Sequence, residues 1–254
     1  MGVLARGRRA VRGHMAEWVF TDRIQGVSAG PYHQANLGRH VGDDPGAVDE
    51  NRRLLARALD LPDALHLVTM EQVHGCEVAV IDRERGATET PPRADGLITN
   101  TVGIALVTQV ADCVPVVLAT DDGWIAAVHS GWRGVVAGVL DATIAQLRRH
   151  GSTGRIHAWI GPAICPDCYE VGEDVRTEVA ASAPAAFAVT RHDTPAVDVV
   201  AAVAQQLARH DSEVEIIPGC TFEDPQLFSY RRDGVTGRQA GAIVLRTAHS
   251  RGGG

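Results

Sequence analysis

The chain has 254 residues, 45% of them hydrophobic, and a formal charge of −7, enough apolar material for one large domain or two small ones. The acidic balance argues against general nucleic-acid affinity, which shows as a clustered basic surface. All 24 basic side chains are arginine, so a Schiff-base lysine and a P-loop lysine are both excluded, and any phosphate must be held by arginine, backbone amides or a helix N-terminus.

In chain order, residues 1–16 carry several arginines but no apolar stretch of the secretory kind, and they read as a disordered leader. Residues 17–246 read as a single domain and 247–254, ending in Arg-Gly-Gly-Gly, as a loose tail. Apolar β-rich runs at Glu17–Thr21, His66–Met70, Glu77–Ile81, Ile104–Val110, Val114–Ala119, Trp124–His129, Ile156–Ile160, Glu213–Ile217 and Ala242–Leu245 predict strands. Helical patterns cover Gly46–Leu59, Val135–His150, Gly172–Ala183 and Ala196–His210, the first preceded by N-cap and N1-type residues at Asp43–Pro45. The alternation predicts a mixed α/β architecture. No run of about 18 apolar residues suggests a membrane span. Five scattered cysteines do not form a secreted disulfide framework, so the cytoplasm is the expected location.

Three segments place metal-ligand types beside turns or strand ends: Gln72-Val73-His74-Gly75, Ala111-Asp112-Cys113-Val114-Pro115 and His129-Ser130-Gly131-Trp132-Arg133-Gly134. Taken singly, each is weak. A histidine after a strand is more often structural or solvated, and a cysteine between apolar strands more often a small core residue. Together they permit a zinc centre, since three strand ends can converge at one sheet edge and a catalytic zinc uses three protein ligands. Cys165-Pro166-Asp167-Cys168 has metal-type spacing but no second Cys-x-x-Cys, and reads as structural or incidental.

These three segments, with Ala94-Asp95-Gly96, Ile160-Gly161-Pro162-Ala163-Ile164, Tyr169-Glu170-Val171-Gly172, Phe228-Ser229-Tyr230-Arg231-Arg232-Asp233 and Thr236-Gly237-Arg238, resemble the YfiH-type laccase-domain, or polyphenol oxidase, family. Upstream, Asn36-Leu37-Gly38, His40-Val41-Gly42-Asp43 and Asn51-Arg52 are similar to it too, so the likeness runs from about residue 17 to about residue 245. The resemblance implies a single compact α/β domain of layered mixed sheets and helices, YfiH/CNF-like. It implies one zinc on His74, Cys113 and His129. It also implies phosphorolysis of adenosine, inosine, guanosine and methylthioadenosine, with adenosine deamination as a second activity. Purine nucleosides and phosphate are then the expected partners, with neither nucleic acid nor membrane.

Within that reading Cys113 and His129 are the central catalytic groups, and Asp112 is either a proton carrier for deamination or a residue that caps a turn or orients a ligand. Guanidinium groups suit phosphate, which favours Arg133 and Arg52, with Arg231 also in a matched motif. Asn36 and Gln72 have the amides to read a purine edge or a ribose hydroxyl. Three other readings stay open. Copper could replace zinc on one cysteine and two histidines, but the absence of any His-x-His pair argues against a multicopper oxidase of phenols. Cys113 and His129 could act without metal as a hydrolase pair, a role tied to cell-wall precursor editing in the family. Last, the site could merely store zinc or bind a partner.

Overall fold

The computed structural model describes residues 1–82 and 90–247. Two sheets lie face to face and carry helices on both outer surfaces. The first contains β1 (Val3–Val11), β2 (His14–Thr21), β3 (Leu67–Val68), β6 (Ala105–Val110) and β13 (Gln239–Thr247), in the order β1-β2-β13-β6-β3. The second contains β4 (Val78–Val80), β5 (Gly96–Thr99), β7 (Val114–Thr120), β8 (Ile125–Ser130), β9 (Ile156–Ile160) and β12 (Glu213–Ile216), in the order β12-β9-β7-β8-β5-β4. Trp18, Phe20, Leu106 and Ile243 of the first sheet meet Leu97, Val117, Ile125 and Trp159 of the second in the inter-sheet core.

The central strands β5, β7, β8 and β9 of the second sheet are buried at every position, and their sequences are accordingly mostly apolar. Its outer face is covered by α2 (Trp132–Ala137), α3 (Val139–Arg149), α4 (Glu173–Ser182) and α5 (Val199–Ala208), through Val135, Leu140, Leu147, Val179, Val203 and Leu207. The outer face of the first sheet packs Val107, Ala242 and Val244 against Leu55 and Leu59 at α1 (Pro45–Ala58). Asp44 caps α1 by accepting the Ala47 N–H at 2.8 Å, with Pro45 at the first helical position. A short hairpin, β10 (Phe187–Val189) with β11 (Pro195–Val197), and one turn of helix, α6 (Tyr230–Asp233), complete the described elements.

Two expectations are corrected. The leader is not disordered: Val3–Val11 pairs antiparallel with His14–Thr21, from Val3 opposite Thr21 to Val11 opposite His14. Its inward positions Ala5 and Val11 pack on the inter-sheet core. A Cβ at Gly7 would stand 2.5 Å from the Trp18 ring, so the glycine permits that pairing. The helix expected over Val135–His150 is broken at Gly138, whose φ of 75° ends α2 and starts α3. Of the tail expected to be loose, Thr247 closes β13 and the rest lies outside the described residues.

Candidate metal centre

β7 begins where antiparallel β8 ends, and β8 ends where β5 begins. Cys113 immediately precedes β7, His129 is the penultimate residue of β8, and Asp95 immediately precedes β5, so the sheet brings these three residues to one edge. His74 arrives from the loop before β4. The ligand atoms of His74, Cys113 and His129 all lie within 4.8 Å of one another. The Cys113 sulfur is 3.8 Å from His74 Nε2, and the two imidazole rings meet edge-on with centroids 4.7 Å apart.

Asp95 organises this set. Its carboxylate, fully buried, accepts the backbone N–H groups of Val73 at 3.2 Å, His74 at 3.0 Å and Gly75 at 2.7 Å. The same carboxylate lies 2.8 Å from His129 Nδ1, which leaves Nε2 facing the cluster. The loop that carries His74 thus hangs from the group that orients His129. Those N–H bonds also hold His74 at a φ of 60°, a left-handed backbone that most residues resist. Across the cluster, a Cβ at Gly131 would stand 2.8 Å from the Cys113 sulfur and 3.2 Å from the His74 ring; only glycine leaves the ligands their space.

The electrostatics suit a thiolate. Burial alone would raise the Cys113 thiol, but the His129 imidazolium, then hydrogen bonds from His129 and His74, bring it down to about 6. Burial would likewise lower His129, but the Cys113 charge and the Asp95 hydrogen bond raise it to about 9. One thiolate and two imidazoles, all within 4.8 Å of one another, match the donor set of a zinc-class cation, which leaves one position for a ligand.

Asp112 sits in the turn before Cys113 with a φ of 101°. Its carboxylate accepts the Thr221 hydroxyl at 2.6 Å and the Arg231 N–H at 2.7 Å, and its carbonyl accepts the Ile164 N–H at 3.0 Å. These partners hold a strained turn in place and favour the positioning role over that of proton carrier.

The other sequence-derived residues divide. Arg52 lines a cleft of about 900 Å³ with Arg39, His40, Gln72 and Gln109. Its Nε donates to the Leu37 carbonyl at 3.1 Å, and burial, with Arg39 beside it, lowers it to about 10. Gln72 borders the cleft, but its amide clamps the Gln109 backbone at 2.7 and 2.8 Å. Asn36 is fully buried and bonded to Gly38, Asp43 and Arg238, which places it in the scaffold. Arg133 is exposed, its guanidinium 4.2 Å above its neighbour Trp132. Arg231 donates to the Glu170 carbonyl at 2.7 Å and covers the Tyr169 ring.

Sequence reasoning assigned no role to Asp95, His40 or Arg238, although each stands in a quoted motif. Burial lowers His40, and Arg238, Arg52 and His129 lower it further, so these groups lie in one cationic neighbourhood between the cleft and the metal centre. The available signal was the adjacency of Asp95 and His40 to glycine-bearing motifs, which carries no direction in space.

The family described as multi-copper polyphenol oxidoreductase laccase matches residues 17–246. A Streptomyces coelicolor protein named purine nucleoside phosphorylase is 49% identical, over 91% of this chain and 96% of its own. The Escherichia coli K12 protein named purine nucleoside phosphorylase YfiH is 42% identical, over 88% and 91%. Among solved structures, YlmD from Geobacillus stearothermophilus aligns with a TM-score of 0.83 at 32% identity, over 94% of this chain and 98% of that one. The chain belongs to the YfiH-type laccase-domain family.

Proposed function

We propose that this chain is a zinc-dependent purine nucleoside phosphorylase acting on adenosine, inosine, guanosine and methylthioadenosine. The observation that carries the reading is the name purine nucleoside phosphorylase on relatives 42–49% identical over about nine-tenths of the chain. The cleft that holds Arg52, Arg39 and His40, and from which His40 interacts with His129, supports it. Adenosine deamination is proposed as a second activity of the same centre, in the cytoplasm.

In phosphorolysis a phosphate oxygen bonds to ribose C1′ while the C1′–N bond breaks, its electron pair leaving with the purine. Arg52 is proposed to hold the phosphate, with His40 and with Arg39, whose guanidinium is paired with Asp49 at 2.6 Å, since guanidinium binds phosphate in a bidentate fork. Bound at His74, Cys113 and His129, a zinc-class cation supplies Lewis-acid stabilisation of developing negative charge. Asp95 keeps His129 in the ligating tautomer, and Asp112 keeps the Cys113 turn in place.

The test incubates the metal-loaded protein with inosine or adenosine, with and without phosphate, and follows free base, ribose 1-phosphate and inosine by chromatography. Phosphate-dependent release of base with ribose 1-phosphate supports the reading; no nucleoside turnover in zinc-loaded protein overturns it. A second reading, a metal-free hydrolase, draws on one observation: Asp95, His129 and Cys113 form an acid–base–thiolate relay with the thiol held near about 6. Activity that survives complete metal removal and is lost to a thiol reagent would favour it.

A further inference from the structure

A second donor cluster lies outside this centre. The ligand atoms of Cys165, Cys168, Cys220 and Glu223 all fall within 4.8 Å of one another. We propose that these four side chains form a second, structural site for a zinc-class divalent cation.

The first argument is the backbone. Cys165 and Cys168 are separated by two residues, and so are Cys220 and Glu223. The Cys168 N–H closes a turn onto the Cys165 carbonyl at 3.1 Å, and the Glu223 N–H closes the matching turn onto the Cys220 carbonyl at 3.2 Å. Two turns of the same size face each other, each presenting two donors, as in paired zinc knuckles. The Cys165 N–H also points at the Cys220 sulfur at 3.3 Å, a contact that stabilises a thiolate. A parallel bridge between Ala163 and Cys220, with the Thr221 N–H donating to Ala163 at 3.1 Å, fixes the two turns relative to each other.

The second argument is the ligand chemistry. Three sulfurs and a carboxylate supply four donors, the number that closes a structural zinc site, and tetrahedral zinc–thiolate geometry sets sulfur separations of about 3.8 Å. All five cysteines are free, so no disulfide consumes the three sulfurs. Three ionised thiols and a carboxylate around a divalent cation leave a net negative charge, and Arg191 stands where it is offset. Its guanidinium lies 3.1 Å from the Cys168 sulfur and pairs with the Glu223 carboxylate. On loading, the three thiols give their protons to buffer.

The site has a consequence for the first centre. Ile164 and Thr221, the neighbours of Cys165 and Cys220, are two of the three residues that donate to Asp112, beside Arg231. A cation tying the two turns together therefore braces the strained turn that presents Cys113.

The test counts metal by mass spectrometry on protein purified under reducing conditions, loaded with zinc and desalted. About two zinc ions per chain are expected in the wild type, about one in Cys113→Ala, about one in Cys165→Ser/Cys168→Ser, and none with all three changes. Loaded with cobalt, Cys113→Ala keeps intense thiolate-to-metal charge transfer, whereas Cys165→Ser/Cys168→Ser loses most of it. The Cys113→Ala variant decides the matter even if the double variant fails to fold. A metal-free Cys113→Ala, or a disulfide joining any two of Cys165, Cys168 and Cys220 in the freshly purified protein, would overturn the proposal.

Discussion

The two donor clusters of this molecule are built in opposite ways. His74, Cys113 and His129 are gathered at the ends of strands from a sheet whose central strands are buried throughout, and Asp95 ties two of them together. Cys165, Cys168, Cys220 and Glu223 sit on two facing surface turns, with Arg191 laid across them. The first offers three donors, with His129 interacting with His40 of the arginine-bearing cleft; the second offers four. Three donors leave a position for chemistry, and four close the shell. Rigidity follows the same division: a sheet core fixes a reacting geometry, whereas surface turns rely on their own cross-link.

The comparison breaks first at its ligands. Cys113→Ala and His129→Ala are expected to reduce nucleoside turnover to background while the protein still melts cooperatively, read by chromatography and calorimetry; appreciable residual turnover would move the reacting centre elsewhere. Asp95→Asn comes next. It keeps the shape but gives up the anionic acceptor of four donors, and about a 10- to 100-fold loss of metal affinity is expected in a chelator competition. Arg52→Ala should raise the KM for phosphate by about 10-fold, the worth of one charged contact, with a smaller change in the KM for nucleoside. An equal rise in both constants would detach Arg52 from phosphate.

The smallest expected effect is a titration. In metal-free protein the thiolate absorbance of Cys113 should appear with a midpoint at about 6 rather than the ordinary 9.0. His129→Ala should move that midpoint upward. The thiolate–imidazolium pair is therefore populated between about 6, where the Cys113 thiol takes up its proton, and about 9, where His129 loses its own, and its contribution to stability is lost as pH leaves that window on either side. A midpoint unmoved by His129→Ala would separate the pair.

The three donor residues that the structure brings together at the first cluster were legible because each stands in a short motif beside a turn or strand end. Most strand positions were legible too, since apolar runs such as Val114–Thr120 are buried throughout. Asp95 was not: its role consists of contacts 20 to 34 residues away, with no local trace. The first strand was hidden because arginines fall on both of its faces, Arg6 and Arg8 exposed and Arg9 half-buried, and Gly7 leaves a gap that Trp18 fills, so the alternation is blurred. The Cys165–Cys168 pair looked incidental for the same reason, its complement standing 55 residues further along. Local spacing names donors; only the sheet says which of them meet.

The central claim is that phosphorolysis occurs at the strand-end cluster and requires its metal. The direct measurement follows ribose 1-phosphate formation from inosine while chelated protein is titrated back with zinc, with Cys113→Ala run beside it. The account predicts no product in chelated wild-type protein, activity that returns as the Cys113 centre fills, and none at any zinc level in Cys113→Ala. Undiminished product formation after complete metal removal, or zinc-restored activity in Cys113→Ala, would contradict it.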